Sequence, residues 1–372
     1  MSTALADAIE RPLGAKAPYG AGGGLHENVE TRFIDPRLDE TWDALVLKHA
    51  EHTFFHSAAW ARVLCRSYGH KPFYLQLCER GKLLALLPLL EVSSRITGRR
   101  AVCLPFSDYC GPLVFHDSNR QLLDDKVAEI ARARKWKYVE LRGSHGLKGG
   151  DSDEPTFYAH QLDLTSDLEH LRSGFDASVR RALRKAERSP LTVQISTTRD
   201  SVAKFFDLHT KTRRRHGVPP QSISFFHNIQ EAVFEHGLGF IVQACLGSQP
   251  VAAAIFFQFG KSAVFKFGAS DDDFHEHRGN NLVMWEGMRE LVRRGAQRLH
   301  FGRTSCDNQG LRRYKRAWGA KEALLTYLRL HPPGREWVNL DEQGSAFHER
   351  LFCRMPLAVN RLAGTLLYPH LH

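Results

Sequence analysis

FYLQLCERGKLLALLPLLEV, residues 73–92, lies without gaps over FIVQACLGSQPVAAAIFFQF, residues 240–259. Phe73, Gln76, Cys78 and Ala85 coincide with Phe240, Gln243, Cys245 and Ala252. Each stretch is an apolar run, a polar turn and a second apolar run, the pattern of a β-hairpin that continues into further strand. Both halves then proceed through a loop, an amphipathic helix, a short strand and a polar cluster, ending ARARKWKYVELRGS in one and VRRGAQRLHFGRTS in the other. The shared order of elements, more than the identities, points to an internal duplication. The expected fold class is α/β with mixed sheets, in two tandem copies of one unit.

The rest of the chain fits this division. Its 372 residues suit two domains with a tail at either end. Residues 1–28 carry no periodic apolar face and read as a flexible tail, and GSHGLKGGDSDEP (143–155) reads as the joint between halves. The expected domains are therefore 29–150 and 155–332, followed by a basic, apolar C-terminal tail, 333–372. Lys and Arg number 51 against 41 Asp and Glu, which favours anionic partners: phosphorylated metabolites, nucleic acid or anionic lipid. Seven cysteines with no CxxC pair argue against a disulfide framework and a zinc ribbon, and for reduced thiols in a cytosol. The first residues are acidic where a signal peptide is basic. The longest apolar stretch, Leu83 to Leu90, is broken by Pro88 and falls far short of the roughly 20 residues of a membrane span. A cytoplasmic protein is expected, with room for contact at the inner face of the membrane.

Five clusters carry candidate chemistry. HRGNN (277–281) places Arg278, Gly279, Asn280 and Asn281 ahead of a helix whose Met284, Trp285, Met288, Leu291 and Val292 form one stripe. Asn280 or Asn281 is the expected cap, and the free amides and positive dipole end suit a pyrophosphate. The plain alternative is that any loop entering a helix looks like this. SVRRALRKAER (178–188) sets Val179, Leu183 and Ala186 against a face of cations that includes Arg184 and Lys185, suited to a phosphate, a lipid headgroup or tRNA, or simply solvated. GRTSCDNQGLRRYKRAWGAKE (302–322) gathers Arg303, Tyr314 and Lys315 beyond a strand end, where ligands of open α/β sheets bind. LPFSDYCGP (104–112) puts Asp108 and Tyr109 in a turn, where the carboxylate can take an amine proton or cap its own backbone. DDDFHEH (271–277) has ligand-type residues, but its histidines at i and i+2 join no further ligand set, and no metal site is expected.

VRRALRKAER, FFDLHTKTRRRHGVPPQ, GSQPVAAAIFF, NNLVMWEGMRELVRRG and FGRTS followed by GLRRYKRAWGAKE, in this order, resemble the FemAB group of GNAT-fold acyltransferases over roughly residues 50–330. The resemblance implies two GNAT-like domains and transfer of an acyl or aminoacyl group to an amine in peptidoglycan or exopolysaccharide metabolism. It further implies that Lys315 stabilises charge at the reacting carbonyl, that Arg215 contacts substrate phosphate, and that Asp108 and Tyr109 line the acceptor cleft. The chain lacks the long charged helical arm of some members, and HRGNN departs from the usual glycine-rich pyrophosphate loop. Acyl-CoA and aminoacyl-tRNA both stay open as co-substrate, and no tightly bound cofactor is expected. The expected acceptor is an anionic, phosphorylated or lipid-linked amine bound between the copies. Asp108, or a water it holds, would take its proton, and Lys315 or a backbone amide would meet the oxyanion. A non-catalytic binder of anionic lipid or nucleic acid is the alternative. The last residues, 347–372, have no acid after Glu349 and are expected to lie on an anionic membrane surface or to pack against the body.

Overall fold

The computed structural model describes residues 29–94, 96–143, 156–332, 334, 336–340 and 352–371. The N-terminal tail, all but the first residue of the joint, and residues 341–351 of the C-terminal tail lie outside the described residues. Two compact units form: one of residues 1–156, 325–341 and 370–372, the other of 157–324 and 342–369.

The duplication is present at the level of register. In the first unit Tyr74–Glu79 and Lys82–Leu87 form an antiparallel hairpin in which Leu77 faces Ala85 and a bulge follows at Cys78. In the second, Gly239–Leu246 and Gln249–Phe259 pair so that Ala244 faces Ala252, with a bulge at Cys245. These are the same positions of the aligned sequences. The outer neighbours match as well: Val29–Ile34 sets Glu30 opposite Cys78, and Leu191–Ser196 sets Thr192 opposite Cys245. A one-residue slip would turn each apolar face to water, so a shared bulge is a retained feature of the scaffold.

The copies separate where the first has Pro88. The first hairpin lies in a four-stranded sheet with Val29–Ile34 and Leu113–Val114, while the chain beyond Pro88, Leu90–Ser94, enters a different, six-stranded sheet. Proline has no N–H to give a ladder, and the strand ends there. The second copy has Ile255 at this place and its strand runs on unbroken to Phe259. The result is one seven-stranded sheet, in spatial order Leu191–Ser196, Gly239–Leu246, Gln249–Phe259, Ser262–Ser270, Arg298–Ser305, Phe157–Asp163 and Lys321–Leu325.

Helices cover this sheet as their periodicity requires. Gly279–Arg293 buries Met284, Trp285, Met288 and Leu291, and lies so close that a Cβ at Gly287 would come within 2.2 Å of the Phe256 ring. Ala177–Glu187 buries Val179, Leu183 and Ala186 in the same core, and Asp176 caps it by accepting from the Ser178 amide. Arg199–Arg215, capped by Thr198, buries Val202, Phe205, Phe206 and His209. Each large apolar side chain so buried contributes about 1.5–3 kcal/mol.

The second domain ends earlier than residue 332. Tyr327–Leu330 pairs antiparallel with Val139–Arg142, so the chain returns to the first unit's sheet after Leu324. The C-terminal segment, expected as a unit of its own, also divides. Trp337–Asn339 extends that same sheet, whereas the helix Leu357–Leu367 packs on Arg199–Arg215 in the second unit.

Candidate functional site

Strands Ser262–Ser270 and Arg298–Ser305 run parallel for only three pairs, Ser262–Arg298, Ala263–Leu299 and Val264–His300. Beyond Val264 they part, and a pocket of about 220 Å³ opens along Phe265–Ser270. Ala253 and Ala254 supply its floor, Val283 and Met284 come from the crossover helix Gly279–Arg293, and Tyr314 from Gln309–Ala317. Thr212, Arg215 and His216 close one side. Burial pushes the Tyr314 phenol up to about 12, so its hydroxyl keeps its proton at neutral pH.

A second pocket of about 90 Å³ adjoins the first and shares Ser270 and Asn280 with it. Arg278, Gly279, Asn280 and Asn281 line it, at the start of a fifteen-residue helix. The cap is Arg278, in the left-handed region at φ 59°, and not Asn280 or Asn281. Two packing contacts fix this. Gly279 sits where a Cβ would come to 3.0 Å from that of Ala252, and the Asn280 amide donates to Ser270 Oγ at 3.0 Å. Asn281 N and Leu282 N donate to the Arg278 carbonyl, which leaves the outward amides of the first turn at the pocket. The arrangement offers a dipole end and a cation to a phosphate-bearing group, continuous with a chamber for what that group carries.

Ser270 joins these parts. Its amide donates to Thr212 Oγ1 at 3.0 Å, and its carbonyl accepts from that hydroxyl at 3.1 Å and from Arg215 at 3.4 Å. Arg215 also pairs with Asp272 at 2.7 Å, and Lys211 with Asp271 at 2.6 Å, which holds the Asp271 carboxyl below its usual range. Acids read as metal-ligand types thus pair with the last turn of the helix Arg199–Arg215. Neither Thr212 nor Ser270 stands out in the sequence, because no motif marks the small polar residues that fasten a strand end to a helix.

Lys315 is buried against the strand Arg298–Ser305. The strand Arg298–Ser305 is bulged, with His300 opposite Gln161 and Arg303 opposite Ala159, and Gly302 at φ 73° makes the turn. Buried Lys315 fills this irregularity from behind, donating to the carbonyls of Gly302 and Arg303 at 2.9 and 3.0 Å. Neither Lys315 nor the two residues it binds are among those that line the larger pocket. Beside it His160 meets Glu322 at 2.9 Å, and Arg312 grips the same carboxylate at 2.8 and 3.0 Å. Arg312, with His160, keeps Glu322 down at about 2, while burial and the Lys315 charge lower the His160 pKa and favour neutral imidazole.

Of the other sequence candidates, Arg303 lies with its guanidinium 4.1 Å from the Phe157 ring centre. Arg184 and Lys185 are exposed on Ala177–Glu187, outside both pockets. Asp108 and Tyr109 belong to the first unit, half-buried on a loop, Leu104–Cys110, that returns to form a bridge between Cys110 and Arg142. The Asp108 carbonyl accepts from Tyr327 Oη at 2.8 Å and the Tyr109 carbonyl from Thr53 Oγ1 at 3.1 Å. Arg142 pairs with Glu140 at 3.0 Å and donates to the Ser107 carbonyl at 3.2 Å.

Strands that part beside a helix N-terminus, in a unit present twice, define a two-domain GNAT architecture. Residues 173–316 match the family described as an acetyltransferase (GNAT) domain. Among solved structures FemX is similar, with a TM-score of 0.64 and 17% identity over 79% of this chain and 95% of that one. A tandem GNAT protein from the clavulanic acid biosynthesis pathway gives 0.52 and 12%, over 82% and 98%. L-PGS from Bacillus licheniformis gives 0.50 and 12%, over 87% and 96%. At these identities the likeness is one of fold. No curated relative matches the chain.

Proposed function

We propose that this protein is an N-acyltransferase that moves an acyl or aminoacyl group from a thioester or aminoacyl ester onto an amine of a cell-envelope precursor, in peptidoglycan or exopolysaccharide metabolism. The observation that carries this reading is the pocket along Phe265–Ser270, adjoining the one at the helix start Arg278–Asn281. The smaller pocket takes the phosphate-bearing part of acyl-CoA or of the aminoacyl-tRNA end, and the larger takes the reactive arm. Attack by the amine builds negative charge on the carbonyl oxygen, which a backbone amide meets in this scheme. Lys315 is a positioning residue in this scheme, fixing the bulge at Gly302 and Arg303, and Arg215 at the pocket rim meets substrate phosphate. The acceptor amine gives up its proton to water, and the thiol or hydroxyl of the donor leaves with one in its place.

Thermal-shift titration with acetyl-CoA and with aminoacyl-tRNA tests the donor site. Stabilisation by one of them, lost in Gly279→Val, is expected; no shift with either, and no transfer to any amine, would overturn the proposal. A non-catalytic binder is the second reading, favoured by Arg184, Lys185 and Arg188, which pair with no carboxylate among the described residues. It requires salt-dependent binding of nucleic acid without turnover.

A further inference from the structure

The helix Leu357–Leu367 has two unlike faces. Asn360, Gly364 and Tyr368 are buried against the second unit. Gly364 approaches so closely that a Cβ there would stand 1.9 Å from the Pro220 carbonyl oxygen. Tyr368 Oη donates to the Pro219 carbonyl at 3.2 Å and accepts from Arg213 at 3.1 Å. Arg361 pairs with Asp207 at 2.9 Å and lies over the Phe206 ring. The seat is specific, so the opposite face is presented in one orientation.

That opposite face is apolar. Val359 is 48% exposed, Leu362 59%, Leu366 62% and Leu367 38%, at spacings that place the first three along one stripe. These four are a third of the twelve large hydrophobics exposed among the described residues, gathered on one eleven-residue helix. Scattered exposed leucines need no explanation, but a contiguous stripe marks an interaction surface. Its charge decides the partner. The chain has no acid after Glu349, and Arg354 is exposed just before the helix. A second copy docking through the same face would bring a second Arg354 to it, with no acid on either helix to answer the two. An anionic bilayer accepts both the leucines and the charge.

We infer that the helix Leu357–Leu367 is a bilayer-docking surface for anionic lipid, lying in the membrane plane with Val359, Leu362 and Leu366 in the acyl boundary. It packs on the helix that brings Thr212 and Arg215 to the pocket, so docking would hold the pocket close to the membrane surface, where a lipid-linked amine is presented. The surface itself does not rest on the acyl-transfer reading, and its test contains no donor.

The full chain is sedimented with vesicles of phosphatidylcholine alone and of phosphatidylcholine with phosphatidylglycerol. At least tenfold more protein is expected on the anionic vesicles, falling tenfold or more in Leu362→Ser/Leu366→Ser, whose circular dichroism and melting temperature stay those of the parent. Leu366→Gln, at the most exposed position, replaces the double variant if that melts early. Equal binding by parent and variant, no vesicle binding at all, or a dimer in light scattering that the same variant dissociates while vesicles are ignored would each overturn the inference.

Discussion

The gap beyond the crossover strand is filled in one unit and open in the other. In the first, Gly98–Val102 runs parallel to Val139–Arg142 through two pairs, Ala101–Val139 and Val102–Glu140. The chain then turns at Leu104, φ 52°, and Leu104–Cys110 folds back over the space, pinned by Arg142 and Tyr327. In the second unit Ser262–Ser270 parts from Arg298–Ser305 after three pairs, and the larger pocket lies along it at Phe265–Ser270. The helix beyond differs too: Gly279 begins its helix close behind Ser270, while the first unit passes through Leu113–Val114 and a further turn before Arg120. Duplication preserved the hairpin, its bulge and its outer strand. One gap is taken up by packing, while the other unit keeps a pocket that the proposed function assigns to the donor; on that reading the scaffold alone does not specify a site.

The largest effect should come from opening the filled gap. Glu140 is buried and answers both Arg142 and Arg329, so Glu140→Ala strands two cations and should cost about 3–5 kcal/mol in denaturant unfolding, with donor binding per folded molecule unchanged. Loss of donor binding in the folded fraction would break the division of labour. Next is the bulge that Lys315 holds in the second unit. Lys315→Met removes two charged hydrogen bonds, each worth about 1.5–3 kcal/mol, and should lower kcat about 10- to 100-fold with little change in KM. A lysine that met the oxyanion directly would leave the bulge and the melting temperature as they are when replaced, so a kcat loss without thermal destabilisation would restore that role. Gly279→Val crowds the Ala252 methyl and should cost about 1–3 kcal/mol along with donor binding.

Acid should reach both units by the same route. Burial lowers His56 to about 4 in the first unit and His209 to about 3 in the second, so both fold neutral and take a proton on unfolding. The unfolded chain binds more protons below about pH 6.5, and stability should fall from there towards pH 4 and below. Glu322 adds to this at lower pH: its stabilisation is full above its ordinary 4.5 and is lost as pH falls to about 2, a limb that Glu322→Gln should flatten in pH-dependent melting. The smallest effect is on the exposed cations. Arg184→Glu with Lys185→Glu should move stability by no more than about 0.5 kcal/mol, and any loss of tRNA binding that follows would be read in its salt dependence.

Elements governed by local period were legible. The hairpins, the stripes of Gly279–Arg293 and Arg199–Arg215 and the two-faced helix at Ala177–Glu187 all follow from spacing. What depended on distant partners was not. Asn280 is the better cap by propensity, yet Arg278 takes the left-handed position because Gly279 and Asn280 are already fixed against Ala252 and Ser270. Nothing in the spacing around Lys315 announces the two carbonyls that it binds at the bulge of Gly302. Tyr327–Leu330 looks like the last strand of the second domain because its partner, Val139–Arg142, lies far back in the chain.

That return has a consequence for how the protein is made. Until Tyr327–Leu330 leaves the ribosome, Val139–Arg142 has an open edge, with backbone groups ready to pair with any passing strand. At roughly 5–20 residues per second, the intervening stretch takes roughly 10–40 s to synthesise. Residues 157–324, the larger part of the second unit, can collapse during that interval. The earlier-born half must wait for the later one, and the cell has to keep it from aggregating meanwhile.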